Sequence, residues 1–134
     1  AAQIGSSGYA AQIGSSGYDA RIGSSGYDAR IGSSGNAAQI GSSGYAAQIG
    51  SSGNAARIGS SGYAARINSF GENAVIAVAG ISTLIKAKDG TWVSVAEFND
   101  KYECVGFATG CIGRDGLKPD TWYAAKGGRL VSQP

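Results

Sequence analysis

Large aliphatic residues recur along this chain with a strict spacing of nine, at Ile4, Ile13, Ile22, Ile31, Ile40, Ile49, Ile58 and Ile67. Around each stands one phrase, AAQIGSSGY or a variant such as DARIGSSGY, AAQIGSSGN or AARINSFGE, written eight times through residue 72. A strict repeat means that each unit packs on copies of itself. Within the phrase, A-Q-I alternates small apolar, polar and large apolar, which is strand periodicity with Ala2 and Ile4 inward and Gln3 outward. The G-S-S-G run supplies a corner, because glycine reaches backbone angles closed to other residues and serine bonds local backbone groups. Two glycines in each of the first seven nonamers, at about 1 kcal/mol apiece relative to alanine, argue against a helix. Strand, corner, strand, corner predicts an all-β chain, a parallel β-solenoid.

The substitutions set the size of one coil. The third position reads Gln3, Gln12, Arg21, Arg30, Gln39, Gln48, Arg57, Arg66, so the residues fall in pairs and the higher unit is 18 residues. In a two-sided coil of that length each outer face stacks Gln, Arg, Gln, Arg, and no arginine lies directly over another at the ~4.8 Å strand spacing, where like charges repel. The ninth position agrees: steps of 18 from Tyr9 meet Tyr27, Tyr45 and Tyr63, an aromatic ladder on one edge, while Tyr18, Asn36, Asn54 and Glu72 form the other. A 27-residue coil would mix Tyr9, Asn36 and Tyr63 and set Arg30 over Arg57. Duplication of an 18-residue unit would produce the same pairing.

The repeat fades after residue 72 but keeps Ala74, Ile76, Gly80 and Ile85 in register. Ten repeats make about five coils over residues 1–90, roughly 24 Å of solenoid at the strand spacing. The outward third position turns apolar at Val75 and Leu84, which predicts that the following segment packs over it. Residues 91–134 read as a small antiparallel capping module. TWVSVAEF alternates, NDK turns, YECVGFATGCI supplies a long strand or a strand pair, GRDG turns, and DTWYAAK-GG-RLVSQP forms a closing hairpin. Such a cap shields the open strand edges of a terminal coil. The other end begins directly at AAQIG, which predicts self-association through the uncapped edge, a preceding domain, or a covering partner.

Composition removes much chemistry. There is no His among 134 residues, which excludes Ser-His and Cys-His nucleophilic pairs and most zinc sites. Eleven Lys/Arg against nine Asp/Glu give +2 with the arginines dispersed, so nothing points to nucleic acid. No apolar run reaches membrane length and no signal peptide is visible. Calcium-binding nonapeptide rolls use Asp in G-G-x-G-x-D. Here Asp19 and Asp28 occur in a single coil and are expected to pair with Arg21, Arg30 or neighbouring coils. G-S-S-G is no phosphate loop, since no Lys-Ser/Thr follows it. Neither a cofactor nor a metal is expected. Cys104 and Cys111 have opposite parity in a continuous strand and should face opposite sides. Trp92, Trp122 and Tyr123 are expected in the core of the cap. The regular charges and the absence of Thr from the repeats count against ice binding.

The repeated A-x-I-G-S-S-G phrase, GENAVIAVAG at 71–80, AEF at 96–98 and LKPDTWY at 117–123 together resemble nonapeptide-repeat proteins encoded in phages and prophages of gut bacteria. The resemblance implies a solenoid preceded by an amino-terminal globular region, consistent with the absence of any Met. It further implies a location in the host cytoplasm or on the virion, and it supplies no catalytic residue. The expected function is a non-enzymatic structural or interaction role, a rigid rod acting as spacer or docking scaffold. The alternative is a carbohydrate- or polymer-binding module whose surface is Tyr9, Tyr27, Tyr45 and Tyr63, with a protein or glycan partner.

Overall fold

A computed structural model describes residues 3–133 as fourteen strands and no helix. Ten short strands come first, one per nonamer. They are β1 (Gln3–Ser6), β2 (Gln12–Ser15), β3 (Arg21–Ser24), β4 (Arg30–Ser33), β5 (Gln39–Ser42), β6 (Gln48–Ser51), β7 (Arg57–Ser60), β8 (Arg66–Ser69), β9 (Val75–Val78) and β10 (Leu84–Lys86). Four others follow: β11 (Trp92–Phe98), β12 (Cys104–Cys111), β13 (Tyr123–Lys126) and β14 (Arg129–Ser132). The first seven repeat strands therefore cover Q/R-I-G-S, shifted towards the carboxy end from the A-Q-I run that periodicity suggested.

The strands form two seven-stranded sheets. The first runs β1-β3-β5-β7-β9-β11-β12, and the second runs β2-β4-β6-β8-β10-β13-β14. Gln3 lies opposite Arg21, Arg21 opposite Gln39 and Gln39 opposite Arg57, so the pairing offset is 18 residues and the coil is a two-sided β-solenoid. Along each sheet arginine alternates with glutamine, as the paired substitutions required.

Between the sheets lies a file of isoleucines, Ile22, Ile31, Ile40, Ile49, Ile58, Ile67, Ile76 and Ile85, all buried together with the alanine two residues before each, or Thr83 before Ile85. Fully burying such a side chain contributes about 1.5–3 kcal/mol, and every coil repeats the contribution twice. Ala2 lies outside the described residues, and its equivalents Ala20, Ala38 and Ala56 are buried. The first serine of the repeat also faces inward, as in Ser24, Ser42 and Ser60. In register with it nearer the cap stand Val78 and Val95, so the interior loses its hydroxyls there.

Hydrogen bonds between coils continue through the corners. Ser43 N–H donates to the Ser24 carbonyl at 2.9 Å and Gln48 N–H to the Ala29 carbonyl at 2.9 Å, each reaching back to the preceding coil. Ala46 N–H donates forward to the Tyr63 carbonyl at 2.7 Å. The reversal arises at a left-handed residue, and that residue is not a glycine. It is the first position of each repeat: Ala10, Asp19, Asp28, Ala37, Ala46, Ala55, Ala64, Asn73 and Ser82, with φ between 53° and 60°. The expectation that glycine supplies the unusual backbone angles of the corner is thus corrected. Part of the corner chemistry stands: the Ser42 and Ser60 hydroxyls accept from Gly44 N–H and Gly62 N–H at 3.4 and 3.3 Å.

The two glycines of the phrase do different work. A Cβ on Gly44 would lie 2.0 Å from the Gly26 carbonyl oxygen, and one on Gly62 would lie 2.0 Å from that of Gly44. Backbone touches backbone between coils there, and only glycine fits. The other glycine of the phrase, such as Gly41, points outward with nothing within 4 Å of a Cβ. Asn68 and Ala77 already occupy equivalent places.

The carboxy-terminal strands extend both sheets. β11 pairs in parallel with β9 on one side and antiparallel with β12 on the other. β13 pairs antiparallel with β10 and then with β14. Residues 102–112 contribute one long strand rather than a pair. The Gly127–Gly128 turn has φ of 63° and 77°, the two positive values that a tight hairpin with the native strand twist prefers. Two expectations for this region are corrected. The segment after residue 90 lies alongside Val75 rather than over it, with Trp92 in register, and Val75 remains 46% exposed. Trp92 is itself 49% exposed with the Arg114 guanidinium over its ring, while Tyr123 is buried and its hydroxyl accepts from Lys118 N–H. Tyr123 belongs to the core; Trp92 belongs to the surface.

These contacts predict opposite outcomes for the two glycines. Gly44→Ala should destabilise by roughly 3 kcal/mol or more. Gly41→Ala, which the backbone accommodates, should stabilise by about 0.4–1 kcal/mol by restricting the unfolded chain. Urea denaturation of both variants checks the contrast.

Candidate functional site

Tyr9, Tyr27, Tyr45 and Tyr63 project from the edge that joins the first sheet to the second. Stacking in register places them over one another, with ring centroids 5.9, 5.5 and 5.0 Å apart. The interplanar angle closes from 44° and 39° to 5° along the row, and exposure falls from 75% at Tyr9 to 38% at Tyr63. Tyr45 and Tyr63 stack face to face, while Tyr9 and Tyr27 are tilted against their neighbours. Aromatic pairs of this geometry contribute about 0.5–1.5 kcal/mol beyond the area they bury.

On the opposite edge the equivalent row is tied by hydrogen bonds. Asn36 Oδ1 accepts from Asn54 N–H and Asn54 Oδ1 from Glu72 N–H, both at 2.9 Å, while Asn36 Nδ2 donates to the Tyr18 hydroxyl at 3.4 Å. Each asparagine thus satisfies the next coil's amide, and the two edges hold adjacent coils together by different chemistry.

The outer faces carry the exposed third-position residues. Among the described residues the ion pair is Lys88–Asp120 at 2.9 Å. Asp19 and Asp28 do not bridge to Arg21 or Arg30, which corrects the expected pairing. Both aspartates occupy left-handed positions, which Asp adopts more readily than most residues. That conformational role accounts for them without a charged partner.

At the cap, Glu97 makes an arrangement with no local sequence signal. Its carboxylate accepts from Gly127 N–H at 2.7 Å and from Gly128 N–H at 2.8 Å. The AEF segment of β11 is thereby fastened to the turn between β13 and β14, so the first sheet is tied to the second. The Gly128 amide, then the Gly127 amide, hold this carboxyl below the usual glutamate range, with desolvation opposing. Both partners were visible in the sequence, but their separation of about thirty residues left only tertiary structure to join them.

Cys104 is exposed and Cys111 buried, and both are free thiols. The register of β12 shifts between its pairings with Glu97 and Phe98, so Cys104 lies opposite Phe98 and Cys111 opposite Trp92 on one face of β11, which corrects the opposite sides expected of a regular strand. Groups of three or more His, Cys, Asp or Glu placed to hold a metal are absent among the described residues. No helix among those residues is long and apolar enough to cross a membrane.

In comparisons with known proteins, no family model, no curated protein and no solved structure matches this chain.

Tyr45→Ser, which removes one tilted and one stacked ring pair, should cost on the order of 1 kcal/mol and lower the melting temperature without loss of the β spectrum. For Glu97, a lowered folded-state pKa means that its stabilisation is present above the unfolded value and disappears as pH falls through the folded one. Amides of β13 and β14 should therefore exchange faster as pH drops below the ordinary glutamate range, after correction for intrinsic exchange. Glu97→Gln should remove that pH-dependent step.

Proposed function

We propose that this chain is a non-enzymatic structural or interaction protein, a rigid β-solenoid rod that serves as a spacer or docking scaffold. The observation that carries the proposal is the hydrogen bonding between coils, which runs through strands and corners alike. A rod bonded all round its perimeter resists bending, because no corner is free to hinge. The composition supports the same reading. The chain has no histidine, and the repeated serines sit where the fold uses them, facing the interior or turning a corner. The tyrosine edge supports this role as a stiffening element, since its successive rings lie within 5.0–5.9 Å of each other along the axis.

Spin labels at Ser7→Cys and Asp100→Cys, in a Cys104→Ser background that leaves only buried Cys111, test the rod directly. A narrow distance distribution is expected. It should lengthen by about 4.8 Å for each inserted 18-residue coil. Insertion of a single nonamer should instead disrupt the cap, because every later strand would move to the other sheet. A broad distribution, or no lengthening, would overturn the rod.

A further inference from the structure

The outer face of the first sheet carries three rows parallel to the solenoid axis. One is Gln3, Arg21, Gln39 and Arg57, the next is Gly5, Gly23, Gly41 and Gly59, and the third is Ser7, Ser25, Ser43 and Ser61. The glycine row is a floor without side chains, the Gln/Arg row forms one wall, and the serines form a low opposite side. The trough runs along the stacked coils past Ala77 and ends at Phe107 of β12. Its counterpart on the second sheet is stopped earlier by Phe70, which stands in the row of Ser16, Ser34 and Ser52.

The three rows carry charge of one sign, and Asp19 stands exposed at the corner two residues before Arg21. None of the three rows contains a carboxylate, and Arg21 and Arg57 are exposed with no ion pair among the described residues. The two arginines are two coils apart, which at the strand spacing is about 9.6 Å, with an amide halfway between them at Gln39. A complementary ligand is an extended polymer with units about one coil long and an anionic group on every second unit. Duplex nucleic acid fails this test, because its phosphates recur every ~3.4 Å along each strand. Linear polysaccharides of alternating acidic and neutral sugars meet it. Each ring advances the chain by about one strand spacing, carboxylates suit the planar guanidinium fork, and hydroxyls suit the glutamine and serine rows.

We infer that the first sheet's outer face binds a linear acidic polysaccharide lying along the rod, with Arg21 and Arg57 on successive carboxylates. This goes beyond the scaffold proposal and depends on it only for an intact solenoid, which a far-UV spectrum monitors separately.

Calorimetry at low salt with a hexasaccharide of alternating glucuronate and N-acetylglucosamine tests the inference, against a neutral hexasaccharide of β-linked glucose. The acidic probe should bind at least about tenfold more tightly, the scale of charge-assisted hydrogen bonds. The R21Q/R57Q double variant should lose that preference. It should still fold, since glutamine already fills the same row at Gln3 and Gln39. R30Q/R66Q on the second sheet should leave binding unchanged. Gly41→Phe, whose Cβ has open space, should block binding by filling the floor while the spectrum stays native. Absence of binding, equal affinity for the neutral probe, or an equal loss in R30Q/R66Q would each overturn the inference.

Discussion

Adjacent coils of this protein sit at the distance of paired strands and are joined by backbone hydrogen bonds in the corners as well as in the sheets. Everything else in the structure accommodates that constraint. Where the corner backbone of one coil meets that of the next, a Cβ would fall about 2 Å from a carbonyl oxygen, so the second glycine of the phrase recurs. Where the chain must turn its amide towards the following coil, one residue takes the left-handed conformation, even though it is usually alanine. That conformation costs an ordinary residue about 1–2 kcal/mol, and the corner bonds together with the buried isoleucine hold it in place.

Close stacking in register also sets like residues over like. For tyrosine and asparagine the result is favourable, giving aromatic pairs on one edge and side chain–amide bonds on the other. For arginine it would be repulsive, and the sequence avoids this by alternating arginine with glutamine in each sheet. A surface assembled this way is periodic. Whatever lies along it meets the same group at one-coil or two-coil intervals, a property suited to polymers and to extended partners more than to compact ligands. The cap breaks that periodicity, as β11 continues the stacking on β9 but turns its far side to an antiparallel partner. Glu97 then clasps the hairpin of the other sheet, so the two halves of the sandwich end together.

Much of this was legible because a repeat amplifies weak signals. A single A-Q-I says little, but eight runs of A-Q-I or A-R-I identify the inward face, and the Gln/Arg pairing discloses how many nonamers close a coil. The parts that were not legible are those where one local pattern has two physical causes. Glycine in a corner can mean an unusual φ or a close approach of backbone, and here it means the second. Val75 and Trp92 look like covered positions, yet they are lateral neighbours in one sheet and both remain exposed. Asp19 and Asp28 lie two residues from arginines but serve a backbone conformation instead.

The amino-acid sequence alone determined the two-sided coil, its 18-residue length, the isoleucine core and the contents of both edges, because each follows from periodicity and from the repulsion of stacked like charges. Only the tertiary structure decided which residue turns the corner, which glycine is indispensable, and how Glu97 meets Gly127 and Gly128. Those depend on backbone atoms of separate coils or distant strands coming within hydrogen-bonding or contact distance, and no local pattern encodes that meeting.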